Sequence, residues 1–418
     1  MSPGSLLLCQ SKLNRNHILV QDIMAVRKIS DKVFTVGVID WDRKLFDELI
    51  PLPEGTSYNS YILKGGSKTA LIDTVDPAFE EEFITNLIRL GCDRIDIIVI
   101  NHAEQDHSGS LPVLLELFPG AQVYCTEKCS GLLKSLLDVP AARVQVVKTG
   151  DTVDLGGLTL EFIEAPWIHW PETMMCYCPE EKILFPCDLF GTHLATSSLY
   201  MDDPVRTEIL AKRYYAEIMM PFRNSIRQYL EKISEMKIDI IAPSHGPVHN
   251  NPDWIIGMYK EWTGDTVRNM VLIPYVSMHG STDRMVKQLS NLLIERGIGV
   301  RPFRLAGSDS GLLAMELVDA ATVVFATPTV LFGPHPEMVS AAYLANLVKP
   351  KTRYASVIGS FGWGGKTVDT LLSLIPHIKA EMIDPVYING VPDEKARVDI
   401  EKLADLIAEK HSSDPLVQ

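Results

Sequence analysis

A run of four apolar residues, 97 to 100, is followed after Asn101 by the hexapeptide 102–107, which reads HAEQDH. A short apolar run bounded by polar turn residues predicts a buried strand. In α/β folds, ligand sites lie on the loops that leave the carboxyl ends of such strands. His102, Glu104, Asp106 and His107 all carry side chains that can bind metals. The sequence therefore predicts a metal-binding loop at the carboxyl edge of a buried sheet.

The part of the chain around this loop predicts a mixed sheet structure. Strands are predicted at 28–39, 58–64 and 69–73, strands and helices then alternate from residue 79 to residue 147, and consecutive strands follow without helices between them. Helical sequence over 204–236 leads to a last strand at 238–242. The consecutive strands are predicted at 158–163, 174–177 and 183–185. This mixture favours an αβ/βα sandwich over a doubly wound sheet.

From residue 270 onward the pattern changes to a regular alternation of strands and helices. Five strands with helices between them predict a parallel, doubly wound sheet. The strands are predicted near 270–275, 299–305, 321–326, 353–358 and 380–388. A linking helix over 252–263 places the boundary near residue 265. The predicted organisation is an extension at 1–24, a first domain at 25–264 and a second domain at 265–418.

The composition excludes several classes of function. Of the 418 residues, 46% are hydrophobic and 22% are charged, which is typical of globular proteins. The net charge of −14 disfavours binding to nucleic acid backbones or anionic lipid. No apolar run approaches the roughly 20 residues of a membrane span.

The cysteines point to a reducing compartment. There are seven of them, odd in number and scattered, which favours reduced thiols in a cytoplasmic protein over a disulfide framework. They do not form the paired CxxC motifs that a rubredoxin-type iron site needs. Any electron donor of that kind is therefore expected to be a separate chain.

Three further metal ligands are predicted at strand ends of the first domain. His169 follows the strand at 158–163, Asp188 follows the strand at 183–185, and His245 follows the strand at 238–242. Alone, each has a structural explanation, because histidines near strand ends form hydrogen bonds and aspartates cap helices. Together with the hexapeptide they form the series HxExDH, His, Asp, His in one domain. That series predicts a dinuclear metal site, in which each ion needs three to four ligands and one carboxylate bridges.

Three loops of the second domain suit a flavin, because the first offers hydroxyl and backbone donors to a phosphate and the other two offer apolar and aromatic surface to a flat ring. Each follows a predicted strand, and the first precedes a helix whose N-terminus attracts anions. Trp363 in the third loop offers an aromatic face to a flat ring, although a packing role in a glycine-rich turn is the alternative. No GxGxxG motif opens the domain, which disfavours a dinucleotide. The three loops span 277–282, 327–333 and 359–365.

The first-domain series resembles the metallo-β-lactamase superfamily, whose zinc hydrolases carry HxHxDH followed by His, Asp and His. Here Glu104 stands at the second position, and a hard carboxylate oxygen favours iron over zinc. HxExDH is the variant of the flavodiiron proteins, and the chain resembles them over residues 25–410. The resemblance implies a metallo-β-lactamase-like αβ/βα sandwich followed by a flavodoxin-like, doubly wound, five-stranded parallel sheet. This overall class is α/β.

The resemblance also implies the ligands of two iron ions and of FMN. One iron is expected on His102, Glu104 and His169 and the other on Asp106, His107 and His245, with Asp188 bridging. For His107 the alternative is a hydrogen-bonding histidine beside Ser108. The residues expected to contact FMN are Ser277, Met278, His279, Gly280, Ser281, Thr282, Thr327, Pro328, Thr329, Leu331, Gly333, Ser360, Phe361, Gly362, Trp363, Gly364 and Gly365.

The activity implied by the resemblance is reduction of O2 to water, of NO to N2O, or of both, with electrons arriving through FMN. A separate donor protein or reduced coenzyme, and a head-to-tail homodimer or dimer of dimers, are implied as partners. The alternative function is a dinuclear zinc hydrolase with an appended flavodoxin-like domain. A flavin-binding module with a vestigial metal site is disfavoured because every ligand position is filled. Residues 46–53 contain no histidine where some family members place one near the irons, so the preferred gas is not predicted.

Overall fold

The computed structural model describes residues 26–46 and 48–418. The extension predicted for residues 1–24 lies outside these residues. Contacts divide the chain into two compact units, the first comprising residues up to 44, 52–211 and 228–257, and the second comprising 45–51, 212–227 and 258–418. The domain boundary near residue 265 stays a prediction. Two segments before it, 45–51 and 212–227, group with the second unit.

The elements of the described chain are labelled in chain order, and those up to residue 263 come first. The strands are β1 (Arg27–Lys28), β2 (Val33–Thr35), β3 (Val38–Asp40), β4 (Leu45–Phe46), β5 (Ile50–Pro51), β6 (Thr56–Tyr58), β7 (Tyr61–Lys64), β8 (Thr69–Ile72), β9 (Ile97–Val99), β10 (Gln122–Cys125), β11 (Val144–Val146), β12 (Thr152–Asp154), β13 (Thr159–Glu164), β14 (Met174–Cys178), β15 (Ile183–Phe185) and β16 (Ile240–Ile241). The helices are α1 (Glu80–Arg89), α2 (Gln105–Ser108), α3 (Leu111–Leu117), α4 (Glu127–Leu137), α5 (Pro204–Tyr214), α6 (Arg223–Ser234) and α7 (Pro252–Thr263).

Two sheets face each other in the first unit. The larger has the strand order β1-β2-β7-β8-β9-β10-β11 and the smaller the order β12-β13-β14-β15-β16. Leu63 and Val99 of the larger sheet share one buried cluster with Phe162 and Cys176 of the smaller sheet. Helices α1, α3 and α4 cover the other face of the larger sheet through a second cluster. This is the sandwich that the sequence predicts.

The helical sequence at 204–236 does not form one helix. Helix α5 ends at Tyr214, a π-helical turn follows at Tyr215–Met219 and a 3-10 turn at Met220–Phe222, and α6 then begins at Arg223. Pro221 explains the interruption, because proline has no backbone N–H to continue the α-helical hydrogen bonds.

The second unit contains a doubly wound sheet. Its strands are β17 (Arg268–Tyr275), β18 (Gly299–Arg304), β19 (Ala320–Val330), β20 (Gly333–Pro334), β21 (Tyr354–Phe361), β22 (Glu381–Met382) and β23 (Val386–Asn389), and its helices are α8 (Ser281–Glu295), α9 (Ser310–Leu317), α10 (Pro336–Val348), α11 (Thr367–Leu374) and α12 (Glu394–Ser413). The order is β18-β17-β19-β21-β22, with β23 also on β21. These strands are parallel, which gives the 2-1-3-4-5 order of flavodoxin-like folds. The fifth predicted strand is divided at Pro385, which cannot donate a ladder hydrogen bond.

The core of the second unit contains a histidine that is expected to make its stability depend on pH. Nε2 of His411 lies 2.6 Å from the Thr322 hydroxyl and Nδ1 lies 2.8 Å from Asn269 Oδ1. Burial lowers the pKa of His411 to about 4, although Asp414 opposes the shift. His411 therefore takes up a proton near pH 6.5 in the unfolded chain, but only near pH 4 in the folded chain. The contribution of neutral His411 to the free energy of unfolding is fully present above pH 6.5 and is lost as the pH falls through about 4.

We expect His411→Gln to reduce this acid sensitivity. Urea unfolding of the wild type and the variant at intervals from pH 7 to pH 4 would measure it. The wild type should lose more stability over this range than the variant. His377→Gln, at an exposed position, serves as the control and should behave like the wild type. Equal losses in wild type and His411→Gln would contradict the prediction.

No helix among the described residues is long and apolar enough to cross a membrane.

Candidate functional site

The hexapeptide lies where the sequence predicts it, at the carboxyl end of β9. This strand pairs in parallel with β8 and β10 inside the larger sheet. Asp73, just after β8, accepts hydrogen bonds from the backbone N–H of Asn101 at 2.7 Å and from its side-chain amide at 2.9 Å. These bonds fix the start of the loop. The single helical turn of α2 then carries Asp106 and His107.

His102, Glu104 and His169 form a first group of side chains. Glu104 Oε2 lies 3.0 Å from His102 Nε2 and 3.3 Å from His169 Nε2. The His102 side chain is completely buried, whereas the side chains of Glu104 and His169 are 16% and 15% exposed. One nitrogen of each imidazole and one oxygen of the carboxylate therefore converge on the same point, and solvent reaches that point from the side of Glu104 and His169.

Asp106, His107 and His245 form a second, buried group. Asp106 Oδ1 lies 3.3 Å from His107 Nε2, and Asp106 Oδ2 lies 3.3 Å from His245 Nε2. Both carboxylate oxygens of Asp106 are buried, and neither has a hydrogen-bond donor among the described residues. A buried carboxylate without donors is costly unless a cation neutralises it. This observation fits a metal ion within the second group.

Asp188 lies between the two groups. Its Oδ2 is 3.4 Å from His169 Nε2 and 3.7 Å from His102 Nε2. Its Oδ1 is 3.2 Å from His107 Nε2 and 3.3 Å from His245 Nε2. Each oxygen of one carboxylate therefore faces a different pair of histidines. That is the arrangement a bridging ligand of a dinuclear centre requires.

Hydrogen bonds on the far side of the rings fix two of the histidine tautomers. His102 Nδ1 donates to Glu172 Oε1 at 2.7 Å, and His245 Nδ1 donates to the backbone carbonyl of Ser57 at 2.7 Å. Because neither acceptor can donate, the proton of a neutral ring stays on Nδ1, and the Nε2 lone pair faces the site. Neutral histidines oriented in this way are typical metal ligands.

The carboxylates also make the site attractive to cations. Burial alone would lower the pKa of His169, but Asp188 and Glu104 raise it to about 10. The pKa of His245 is raised to about 9 by Asp106 and Asp188, again against the effect of burial. A negative potential that holds protons this strongly also favours metal ions, which would displace those protons on binding.

Sequence reasoning missed the residues that support the ligands. Glu172 and the Ser57 carbonyl are the main ones, and each lies far from its histidine in the sequence. His193 and His249 lie outside the predicted ligand set and are buried: His193 Nδ1 lies 2.9 Å from the Thr56 hydroxyl, and His249 Nε2 donates to the Phe190 carbonyl at 3.1 Å. In the sequence, the only indication that Glu172 belongs to the site is its position three residues after His169.

The second unit contains a cavity of about 200 Å³ at the carboxyl ends of its strands. It is formed by all three of the loops singled out in the sequence. The lining residues are Ser277, Met278, His279, Ser281, Thr282, Pro328, Thr329, Ser360, Phe361, Gly362 and Gly390. Gly390, at the end of β23, is the residue that the sequence did not indicate.

The other predicted flavin residues lie outside this lining. Leu331 is 82% exposed and Trp363 is 60% exposed, with the Trp363 ring edge-on to Phe332 at 4.8 Å between centroids. Thr327 is buried, and its hydroxyl accepts a hydrogen bond from the His335 backbone N–H at 3.3 Å. The remaining predicted residues outside the lining are Gly280, Gly333, Gly364 and Gly365.

A chain of hydroxyl groups supports the second loop. The Thr329 hydroxyl lies 2.8 Å from the Tyr387 hydroxyl and 2.7 Å from that of Thr367. The Tyr387 ring in turn stacks on Phe361, with 8° between the ring planes. Two loops of the cavity are therefore held to the same tyrosine of β23.

Comparison with known proteins agrees with this geometry. Residues 56–246 match the model of the ODP family beta lactamases. A nitric oxide reductase of Moorella thermoacetica is 37% identical over 85% of this chain and 90% of its own length. The flavodiiron protein of Giardia intestinalis has a structure similar to this one, with a TM-score of 0.84, 30% identity, and coverage of 94% of this chain and 99% of that protein. The chain belongs to the flavodiiron proteins.

A second solved structure supports the same family. The rubredoxin:oxygen oxidoreductase of Desulfovibrio gigas matches 92% of this chain and 98% of its own length, with a TM-score of 0.88 and 28% identity. The resemblance and the α/β fold class stated from the sequence are thereby confirmed. As a flavodiiron protein the chain is an oxidoreductase, and the alternative of a zinc hydrolase is not favoured.

Proposed function

We propose that this flavodiiron protein uses FMN and two iron ions to reduce O2 to water, NO to N2O, or both. The observation that carries the proposal is the Asp188 carboxylate, each oxygen of which faces a different histidine pair within 3.7 Å. The names of the relatives, a nitric oxide reductase and an oxygen oxidoreductase, support these substrates. Bound together, the flavin and the iron pair would supply the electrons that either reduction needs.

We propose the ligands of each iron from the two groups. His102, Glu104 and His169 would hold one ion, and Asp188 would bridge it to the other. Three carboxylates give the site a hard, anionic donor set, which suits iron better than the imidazole-rich site of a zinc hydrolase. The remaining ligands would be Asp106, His107 and His245.

His107 is proposed as a ligand rather than as a hydrogen-bonding histidine near the site. Its Nε2 lies 3.3 Å from Asp106 Oδ1 and 3.2 Å from Asp188 Oδ1. The ring therefore presents the same nitrogen to the same carboxylates as His245 does. This position supports coordination over the alternative role beside Ser108.

FMN is proposed as the occupant of the cavity in the second unit. Ser277 and Ser281 offer hydroxyl groups, and the N-terminus of the fifteen-residue helix α8 adds backbone N–H groups with a favourable dipole. These groups suit one terminal phosphate. Phe361 and Pro328 supply apolar surface for the flat ring.

We further propose that a separate protein or a reduced coenzyme supplies the electrons, and that the enzyme acts in the cytoplasm. The cysteines among the described residues are all free and buried, and none is paired as in a rubredoxin-type site. Free thiols are typical of proteins kept in a reducing compartment.

A head-to-tail homodimer, or a dimer of such dimers, is proposed as the functional assembly. Each unit carries exposed aromatic surface beside its own site: Trp363 and Phe332 next to the flavin loops, and Trp167, which is 51% exposed, two residues before His169. Large exposed apolar groups at the rim of a site mark contact surfaces. In a head-to-tail dimer, the flavin loops of one chain would lie against the metal centre of the other.

Mixed dimers test this assembly. One inactive chain would carry Asp188→Ala, and the other would carry a double Ser277→Leu and Ser281→Leu change that blocks the flavin cavity. We expect coexpressed mixed dimers, purified with two different tags, to recover about half of the wild-type gas reduction per pair, because one intact flavin and one intact metal centre face each other. Inactive mixed dimers, or a fully active monomer in light scattering, would contradict the head-to-tail arrangement.

Metal and flavin analysis of the purified chain tests the proposed cofactors. We expect about two irons and about one FMN per chain. Zinc in place of iron, together with hydrolysis of a lactam or thioester, would support the hydrolase instead.

A further inference from the structure

Glu172 is a buried carboxylate outside the proposed ligand set. It follows His169 by three residues and precedes β14, and its side chain is fully buried. Its Oε1 accepts hydrogen bonds from His102 Nδ1 at 2.7 Å and from the backbone N–H of Ala103 at 3.1 Å. Its Oε2 is also buried and has no hydrogen-bond partner in the described part of the chain.

The surrounding structure holds this carboxylate in place at a cost. Thr126 donates a hydrogen bond from its hydroxyl to the Glu172 backbone carbonyl at 2.9 Å, which anchors the residue to the cap of α4. Burying a carboxylate with one oxygen unpaired opposes folding. The one strong side-chain partner of Glu172 is His102, a proposed iron ligand.

Two other histidines of the centre, His245 and His107, have weaker partners on Nδ1. His245 donates to a neutral backbone carbonyl, that of Ser57. His107 Nδ1 meets the thiol of Cys187 at 3.8 Å, a distance and a donor type that give only a weak interaction. Of these three rings, only His102 has a carboxylate within hydrogen-bond distance of its Nδ1. Glu172 therefore adds a hydrogen-bonded carboxylate behind the group that already contains Glu104, whereas Asp73, the carboxylate near His107, accepts its hydrogen bonds from Asn101.

We infer that Glu172 is a positioning residue that locks His102 with its proton on Nδ1 and strengthens Nε2 as a donor, so that the iron on His102, Glu104 and His169 has the lower reduction potential of the pair. A carboxylate on the far nitrogen raises the basicity of a ligating imidazole. A more basic, more anionic ligand set stabilises the ferric state over the ferrous state. This inference rests on the proposed diiron site.

Glu172→Gln tests the inference in the full-length chain. Glutamine can still accept the bond from His102 Nδ1 through its amide oxygen, but it carries no charge. We expect the fold to be retained in circular dichroism, and iron affinity, measured by competition with a chelator, to fall about 10- to 100-fold for one of the two ions. In protein loaded with ⁵⁷Fe, one of the two Mössbauer signals should change, and in a redox titration the lower of the two iron potentials should rise.

Two further variants make the result decisive. Glu172→Ala, which removes the acceptor as well, should weaken the same ion further. Glu116→Gln, an exposed carboxylate on α3, should match the wild type in all three measurements. Unchanged signals and potentials in Glu172→Gln, or equal changes at both ions, would overturn the inference while leaving the diiron site intact. A wild-type chain that takes up no iron would overturn the proposed function and this inference with it.

Discussion

Asp188→Asn is expected to weaken iron binding in both halves of the metal centre at once. Each Asp188 oxygen faces a different histidine pair, and an asparagine can offer only one oxygen, because its amide nitrogen is not a ligand. Loss of a supporting group beyond the ligands typically costs 10- to 100-fold in metal affinity, so loss of the bridging ligand should cost about 100-fold or more. Because the iron is lost, gas reduction should be abolished.

A variant that removes a proposed ligand of only one iron provides the matched comparison for Asp188→Asn. Glu104 contacts only His102 and His169 among the histidines of the centre, so Glu104→Gln should leave about one iron per chain. Asp93→Asn, at an exposed position, should leave the iron content at the wild-type level. Inductively coupled plasma mass spectrometry of the three variants distinguishes these results. If Asp188→Asn retains as much iron as Asp93→Asn, Asp188 is not a bridging ligand.

Gly359→Ala is expected to distort the flavin cavity by displacing the strands that support it. Gly359 lies in β21, where a methyl group would come within 1.9 Å of the Thr327 carbonyl oxygen and 2.6 Å of the Tyr387 ring. The neighbouring strands β19 and β23 would have to move apart, which should cost about 3 kcal/mol of folding free energy. Because Thr327, Ser360 and Tyr387 position the flavin loops, FMN affinity should fall in parallel.

Urea unfolding and flavin fluorescence would measure the two effects of Gly359→Ala. The control is Gly364→Ala, since nothing lies within 4 Å of a methyl group built there. This control should change the unfolding free energy by no more than about 0.5 kcal/mol. Equal stability of the two variants would show that β21 tolerates the bulk, and that the close approach of the strands does not hold the cavity.

The parts of the site that follow strand ends could be predicted from the sequence. His102 follows a strand of the larger sheet, whereas His169 and Asp188 follow strands of the smaller sheet, and the ends of these strands meet at one edge of the sandwich. The same rule located the three loops of the second unit. The interruption of the helix at Pro221 could also have been predicted, because a proline inside helical sequence interrupts the hydrogen bonds of the preceding turn.

The parts of the site that depend on tertiary contacts could not be predicted. Glu172 meets His102 across 70 residues of sequence, and no local pattern marks a carboxylate that will be buried. The direction of the His107 ring is likewise set by Asp106 and Asp188 together. Gly390 reaches the cavity only because β23 extends beyond the end of the strand predicted at 380–388.

The reaction of the reduced protein with each gas tests the central proposal most directly. The chain, loaded with FMN and iron and reduced without oxygen, would be mixed with O2 or NO in a stopped-flow spectrometer, with Asp188→Asn as the comparison. We expect flavin reoxidation within the turnover time with at least one gas, and water or N2O as the product, in the wild type only. Equally slow reoxidation in the wild type and in Asp188→Asn would contradict a gas-reducing diiron centre.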